Sequence, residues 1–298
     1  MRNTLVESIL EFSKNNTPPY ILTGDLGYSV LEPFMQKYKN RFINVGIMEQ
    51  SMMSIAAGIA SQNNKVFAYS ITNFSTFRAL EQLRLDVAYH DLNVCVIGVG
   101  TGFQYGAAGY SHWAVEDLAI MSGLENFRIF SPSDADSTKD AVVDFLVNGG
   151  PSYIRLGKHV KNLSEVCSYK KHGPHLKIFG EGSKVIVTHG SIAIKLLDST
   201  LFDTNKFSLL VFNEVPNSLD DSFLEIFKKV DGIKVLEDVV YSGSMGSRVS
   251  RFLAEKRINV PFYWKGINGK NVLSAGGSEE FLRERELGYK YIEEILKD

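Results

Sequence analysis

Cysteine is nearly absent from this 298-residue chain, with Cys95 and Cys167 the only two. Two thiols cannot make a disulfide framework and are too few for a zinc site, so a reducing, cytoplasmic location is expected. Excess charge of either sign is missing too: 32 Lys and Arg face 34 Asp and Glu, a net charge of −2. That excludes a broad basic field for nucleic acid or an anionic membrane, and any anionic ligand must be gripped locally. Long apolar runs are also lacking. The cleanest, residues 94–99 and 209–212, are strand-sized, against the roughly 20 residues of a membrane-spanning helix. Near the N-terminus Glu7, Glu11 and Lys14 interrupt what would have to be the apolar core of an export signal. The composition that remains, 44% hydrophobic and 22% charged, excludes disorder and fibre and leaves a soluble globular protein. Its length fits two domains of roughly 100–200 residues each.

Short β-branched runs at residues 20–23, 42–45, 66–71, 94–99, 127–130 and 153–156 alternate with helical spacing at 48–60, 77–89, 115–123 and 135–147. This rhythm predicts a parallel α/β sheet with crossover helices. Ser133 and Asp134 are candidate N-caps for the helix at 135. Residues 161–180 read as a linker that has room for one short strand, and its histidines, His172 and His175, with His159 just before it, read as solvated rather than metal-binding. A second set follows, with strands at 185–188, 208–212, 233–236 and 260–263 and helices at 192–201, 221–229 and 245–255. The tail, 279–298, is charged and helical in pattern. The fold class is therefore α/β, with two doubly wound domains of mainly parallel strands, 1–160 and 181–298.

In such sheets ligands bind at the carboxyl ends of the strands. Four post-strand loops stand out: Gly24-Asp25-Leu26-Gly27, Gly46-Ile47-Met48-Glu49-Gln50, Thr72-Asn73-Phe74-Ser75-Thr76-Phe77, and residues 98–112. Taken singly, each has a plain structural reading: Asp25 in a turn, Glu49 complementing a helix dipole, the two Phe in a core. The glycines of 98–109 do not form G-x-G-x-x-G, and no phosphate loop, nucleophile elbow or H-E-x-x-H pair occurs. Gly243-Ser244-Met245-Gly246 opens a helix and is either an anion site or a tight packing point.

Taken together and in order, these loops resemble the pyrimidine-binding domain of transketolases. The matching residues are Gly24-Asp25-Leu26, Asn44-Val45-Gly46-Ile47-Met48-Glu49-Gln50, Phe74-Ser75-Thr76-Phe77-Arg78, Tyr105 to His112, Ser131-Pro132-Ser133-Asp134 and Tyr153-Ile154-Arg155. Residues 181–298, with Val235-Leu236-Glu237-Asp238, resemble the C-terminal domain of the same family. The resemblance implies thiamine diphosphate as cofactor. It casts Glu49 as the carboxyl group that shares a proton with pyrimidine N1′, its acid form favoured by apolar burial against the pull of the helix N-terminus. It casts Phe74 or Phe77, with Phe74 preferred, as the platform for the aminopyrimidine. Asp25 and Leu26 would approach the thiazolium side from a neighbouring subunit. His112 would donate or shuttle a proton at the substrate, and Arg155 would contact a substrate phosphate.

Departures from the family pattern accompany the matches. Ala108-Gly109-Tyr110-Ser111-His112 lacks the Asp that usually precedes the histidine, and Gly100 and Thr101 stand where another histidine is usual. The magnesium- and diphosphate-binding Gly-Asp-Gly…Asn domain has no counterpart here. The expected unit is thus a heterotetramer of two copies of this chain and two of an N-terminal, Mg2+-holding subunit, moving a two-carbon ketol unit between sugars or sugar phosphates. The alternatives are a 2-oxoacid dehydrogenase E1 β-like or acyloin-forming subunit and a non-catalytic, partner-binding chain.

Overall fold

The computed structural model describes residues 1–157, 161–268 and 289–297. The first sheet is built from β1 (Tyr20–Thr23), β2 (Phe42–Asn44), β3 (Val66–Ile71), β4 (Val94–Val99), β5 (Arg128–Phe130) and β6 (Ser152–Leu156) in the order β2-β1-β3-β4-β6-β5, every pair parallel. Its central strands, β3 and β4, are buried on both faces, which is why they read as nearly unbroken hydrophobic runs. Val66, Ala68, Val94 and Val96 face one layer, while Phe67, Tyr69, Cys95 and Ile97 face the other.

The helices of this half are α1 (Arg2–Phe12), α2 (Glu32–Lys37), α3 (Glu49–Ala60), α4 (Thr72–Ser75), α5 (Leu80–Gln82), α6 (Asp117–Met121) and α7 (Ala135–Asn148). Met52, Met53, Ala56, Ala57 and Ala60 of α3 bury against the Val66 face, and α1, α2 and α7 cover the Phe67 face. Asp134 caps α7 through Ser137 in a capping box, as the sequence suggests. The single helix expected over 77–89 instead breaks into α5 and a wider i→i+5 turn, Leu83–Ala88. The wider turn puts Leu83, Val87 and Ala88 together into the core.

The second sheet has β7 (Lys170–Lys171), β8 (Leu176–Phe179), β9 (Lys184–His189), β10 (Phe207–Phe212), β11 (Gly232–Val240) and β12 (Phe262–Ile267), ordered β12-β11-β9-β10-β8-β7. Here β7 and β8 run antiparallel to their neighbours. The linker expected at 161–180 is therefore corrected: its second half supplies the last two strands on one side of this sheet, β8 and the edge strand β7. His175 is correspondingly buried rather than solvated, bonded to Asp144 at 2.8 Å; His172 is exposed and His159 lies outside the described residues. Around this sheet lie α8 (Ile192–Leu197), α9 (Leu224–Phe227), α10 (Met245–Glu255) and α11 (Tyr289–Leu296). The rest of the tail expected to be helical, residues 279–288, lies outside the described residues.

The α10 N-terminus needs no outside anion. Glu237, fully buried, accepts from Met245 N at 2.9 Å and Gly246 N at 3.0 Å, so the chain's own carboxylate fills that role. Main-chain bonds join the halves: Ser131 N to Asn213 O (2.9 Å), Val215 N to Ile129 O (2.8 Å), Gly190 N to Ser131 O (3.0 Å) and Val240 N to Val115 O (2.8 Å). Among the described residues, no helix is long and apolar enough to cross a membrane.

Candidate functional site

The crevice forms where β1, β2, β3 and β4 of the first sheet end. Asn44, the last residue of β2, ties two of its loops together. Its Oδ1 accepts from Asp25 N and Gly46 N, both at 3.0 Å, and its Nδ2 donates to Asp25 Oδ1 at 3.1 Å. Tyr28 Oη donates to the same carboxylate at 2.9 Å. The Asn44 amide, then the Tyr28 hydroxyl, hold the exposed Asp25 carboxyl below its usual range. Leu26 is half-buried against the first-domain core.

Glu49 is the first residue of α3, and only 2% of it is exposed. Gly24 lies against it: a Cβ there would touch Glu49 Oε1 at 3.6 Å and press on Gly46 O at 3.3 Å. Across the crevice Arg78 Nη1 donates to Glu49 Oε2 at 2.8 Å. The same guanidinium sits over the Phe74 ring, 4.2 Å from its centroid. Phe74 in turn meets His112 edge-on, at 5.1 Å between centroids and 69° between planes. The Tyr105 ring closes the row, 5.7 Å from that of His112.

The loop that carries His112 is pinned from α4 and from within. Asn73 Nδ2 donates to Ser111 O (3.1 Å) and Trp113 O (3.0 Å), and Trp113 Nε1 donates to Gly106 O (2.8 Å). The loop glycines are needed for its path: Gly100 has φ +85°, and a Cβ there would run into the Tyr105 ring. Ser111 Oγ lies 2.9 Å from His112 Nδ1.

Three of the residues singled out from sequence thus come together: Glu49, Phe74 and His112. Phe77 is half-buried and takes no part in this row of contacts. Asp25 and Leu26 flank it on the Gly24 loop. Arg155, expected to contact a substrate phosphate, is engaged by groups of the chain itself. It is 1% exposed, and its Nε, Nη1 and Nη2 donate to Asp117 Oδ2 (2.7 Å), Asp238 Oδ1 (2.8 Å) and Ala114 O (3.1 Å). Each guanidinium nitrogen thus already has an acceptor within the chain, two of the three being carboxylates distant in sequence. Arg78, Asn44 and Tyr105 are the crevice residues that sequence reasoning did not single out. All three stand in the stretches that carry the family resemblance, where no role was assigned to them.

The row fits one half of a thiamine cofactor. A planar, cationic group held over the Phe74 ring and bonded to a buried carboxylate is what the structure places there, and a protonated aminopyrimidine is likewise planar, cationic and a hydrogen-bond donor. Beside it, Gly46 has φ +75° and open space where a Cβ would stand.

Residues 7–162, more than half of the chain, match the family described as "Transketolase, pyrimidine binding domain". The chain belongs to the transketolase family. It is 27% identical over 284 residues to an apulose-4-phosphate transketolase subunit of Actinobacillus succinogenes, covering 93% of this chain and 90% of that one. It is 28% identical over 274 residues to a putative transketolase C-terminal section of Methanocaldococcus jannaschii, covering 90% and 86%. Among solved structures, a split-gene transketolase described as an inactive β4 tetramer superposes with a TM-score of 0.85, at 26% identity and with 99% of this chain and 96% of that one covered. This transketolase chain is therefore similar, over nearly its whole length, to proteins named as parts of split enzymes. All of the crevice residues fall inside the matched pyrimidine-binding segment.

Proposed function

We propose that this chain is the pyrimidine-binding subunit of a split transketolase that moves a two-carbon ketol unit from a ketose to an aldose. The observation that carries the reading is the single row Glu49, Phe74, His112, in which an acid, an aromatic face and an imidazole share one crevice. Thiamine diphosphate supplies the acidic carbon and electron sink for such a transfer when bound. Phe74 offers the face for the pyrimidine, and Glu49 shares a proton with its N1′. His112 has Nδ1 engaged by Ser111, which leaves Nε2 to give and take a proton at the substrate oxygen. The diphosphate and Mg2+ fall to a separate N-terminal subunit, two copies of each forming a heterotetramer. Exposed apolar residues at the rim support such docking: Ile47 is 73% exposed, Met48 52% and Tyr28 72%.

Two expectations test this. The purified chain alone is expected to bind thiamine diphosphate about a hundredfold more weakly than the chain co-purified with a diphosphate-binding subunit, as titration calorimetry reads it. Tight binding and full turnover by the single chain would sink the split arrangement. In the assembled enzyme, His112→Ala is expected to lower turnover by about 10²–10³-fold while the cofactor dissociation constant stays within a few fold. A loss confined to cofactor affinity would remove His112 from the substrate. A screen of ketose donors on the co-expressed pair then identifies the reaction.

A further inference from the structure

We propose that Arg78 is a positioning residue that keeps the pyrimidine seat in shape until the cofactor takes its place, an inference that rests on the cofactor reading. Its guanidinium makes the two contacts that define that seat. One is a face-on contact with Phe74 at 4.2 Å, the other a bond to Glu49 Oε2 at 2.8 Å. No other side-chain cation among the described residues pairs with Glu49. Unlike a lysine ammonium, a guanidinium is flat and delocalised enough to stand in for an aminopyrimidine on an aromatic ring.

Two features separate this arrangement from an ordinary structural ion pair. Glu49 is 2% exposed whereas the Arg78 side chain is 44% exposed, so the acid is fixed in the wall and the cation can leave along its own flexible stem. Arg78 also uses little of its bonding capacity, since among the described residues Nη1 alone has an acceptor. Arg155 is the contrast, with acceptors on Nε, Nη1 and Nη2 and 1% exposure. Without a stand-in, the Glu49 carboxylate would be a buried charge with no partner, and the crevice wall would relax to hydrate it. Arg78 therefore preserves the seat at the cost of competing for it.

The sign of its effect on binding follows. The proposal is tested by titrating thiamine diphosphate with Mg2+ into the co-purified complex for the wild type, Arg78→Gln, Arg78→Lys, Glu49→Gln and the Arg78→Gln/Glu49→Gln double variant, together with thermal melting of each cofactor-free chain. Arg78→Gln is expected to bind the cofactor about tenfold more tightly, the combined worth of a half-exposed ion pair and a cation–π contact. Its cofactor-free chain is expected to melt about 2–4 °C lower. Arg78→Lys, which pairs but cannot lie flat, is expected in between. In the Glu49→Gln background the tightening from Arg78→Gln is expected to shrink, because the pair it relieves is gone. An unchanged or weaker affinity for Arg78→Gln overturns the proposal and leaves the cofactor reading standing. A wild-type complex that binds no thiamine diphosphate overturns the cofactor reading, and this proposal with it.

Discussion

Glu49→Ala is expected to abolish exchange of the thiazolium C2 proton with deuterated solvent in the assembled enzyme, a loss of at least about 10³-fold by quenched-flow NMR. The reason is positional as much as chemical. Glu49 opens α3 and stands against Gly24, and among the described residues no other carboxylate pairs with the Arg78 that lies on Phe74. Glu49→Gln separates the two duties of the side chain. It keeps a hydrogen bond to the ring nitrogen but has no ionisable proton to share, so it is expected to retain much of the binding and little of the exchange. Normal exchange in either variant would take Glu49 out of the reaction.

The second large effect concerns stability. Arg155→Met is expected to cost about 3–5 kcal/mol, the usual result of stripping one member from a buried ionic cluster. Burial alone would lower the affinity of the guanidinium for its proton, but Asp117 and then Asp238 outweigh it and raise it. The Asp117 side chain is fully buried, its Oδ2 also accepts from Tyr153 Oη at 2.7 Å, and Oδ1 has no partner among the described residues. Without Arg155 that carboxylate would stand as an uncompensated charge beneath the crevice. The change is read from urea unfolding of the full chain. A loss below about 1 kcal/mol, the range of surface pairs, would mean the cluster is not the buried unit described. Asp238 is a second marker: burial pushes its carboxyl up, yet Arg155, with His189 and Lys195, holds it below its usual range.

The strands of the first sheet were legible to within a residue or so, because the central ones, β3 and β4, are buried on both faces and the others keep short runs of β-branched and aromatic residues. The edge strand β7 was not legible. It is two exposed lysines whose only strand signal is their partner Lys177–Ile178, and exposed edges are chosen for charge rather than β-propensity. The helix at 77–89 was misjudged because α-helical and wider turns share their apolar residues, and only packing decides which spacing closes. At the site, Glu49, Phe74 and His112 were singled out by the resemblance that the segments following the strands carry together, since each alone has a plain structural reading. The engagement of Arg155 and Arg78 could not be found. Their partners lie 38 and 83 residues away for Arg155 and 29 for Arg78, and charge composition carries no record of who pairs with whom.

Gly102 lies against Asp238, so close that a Cβ on the glycine would stand 2.8 Å from Oδ2. The loop that ends in His112 is thereby seated on the second domain as well as the first. Tolerance follows from this. A reacting group that drifts by an ångström can forfeit about a hundredfold in rate, and here the drift of the imidazole is bounded by a domain with no atom in the crevice row. That domain works as a datum surface: loosening it would register first as scatter in turnover among otherwise folded molecules, before any unfolding is seen.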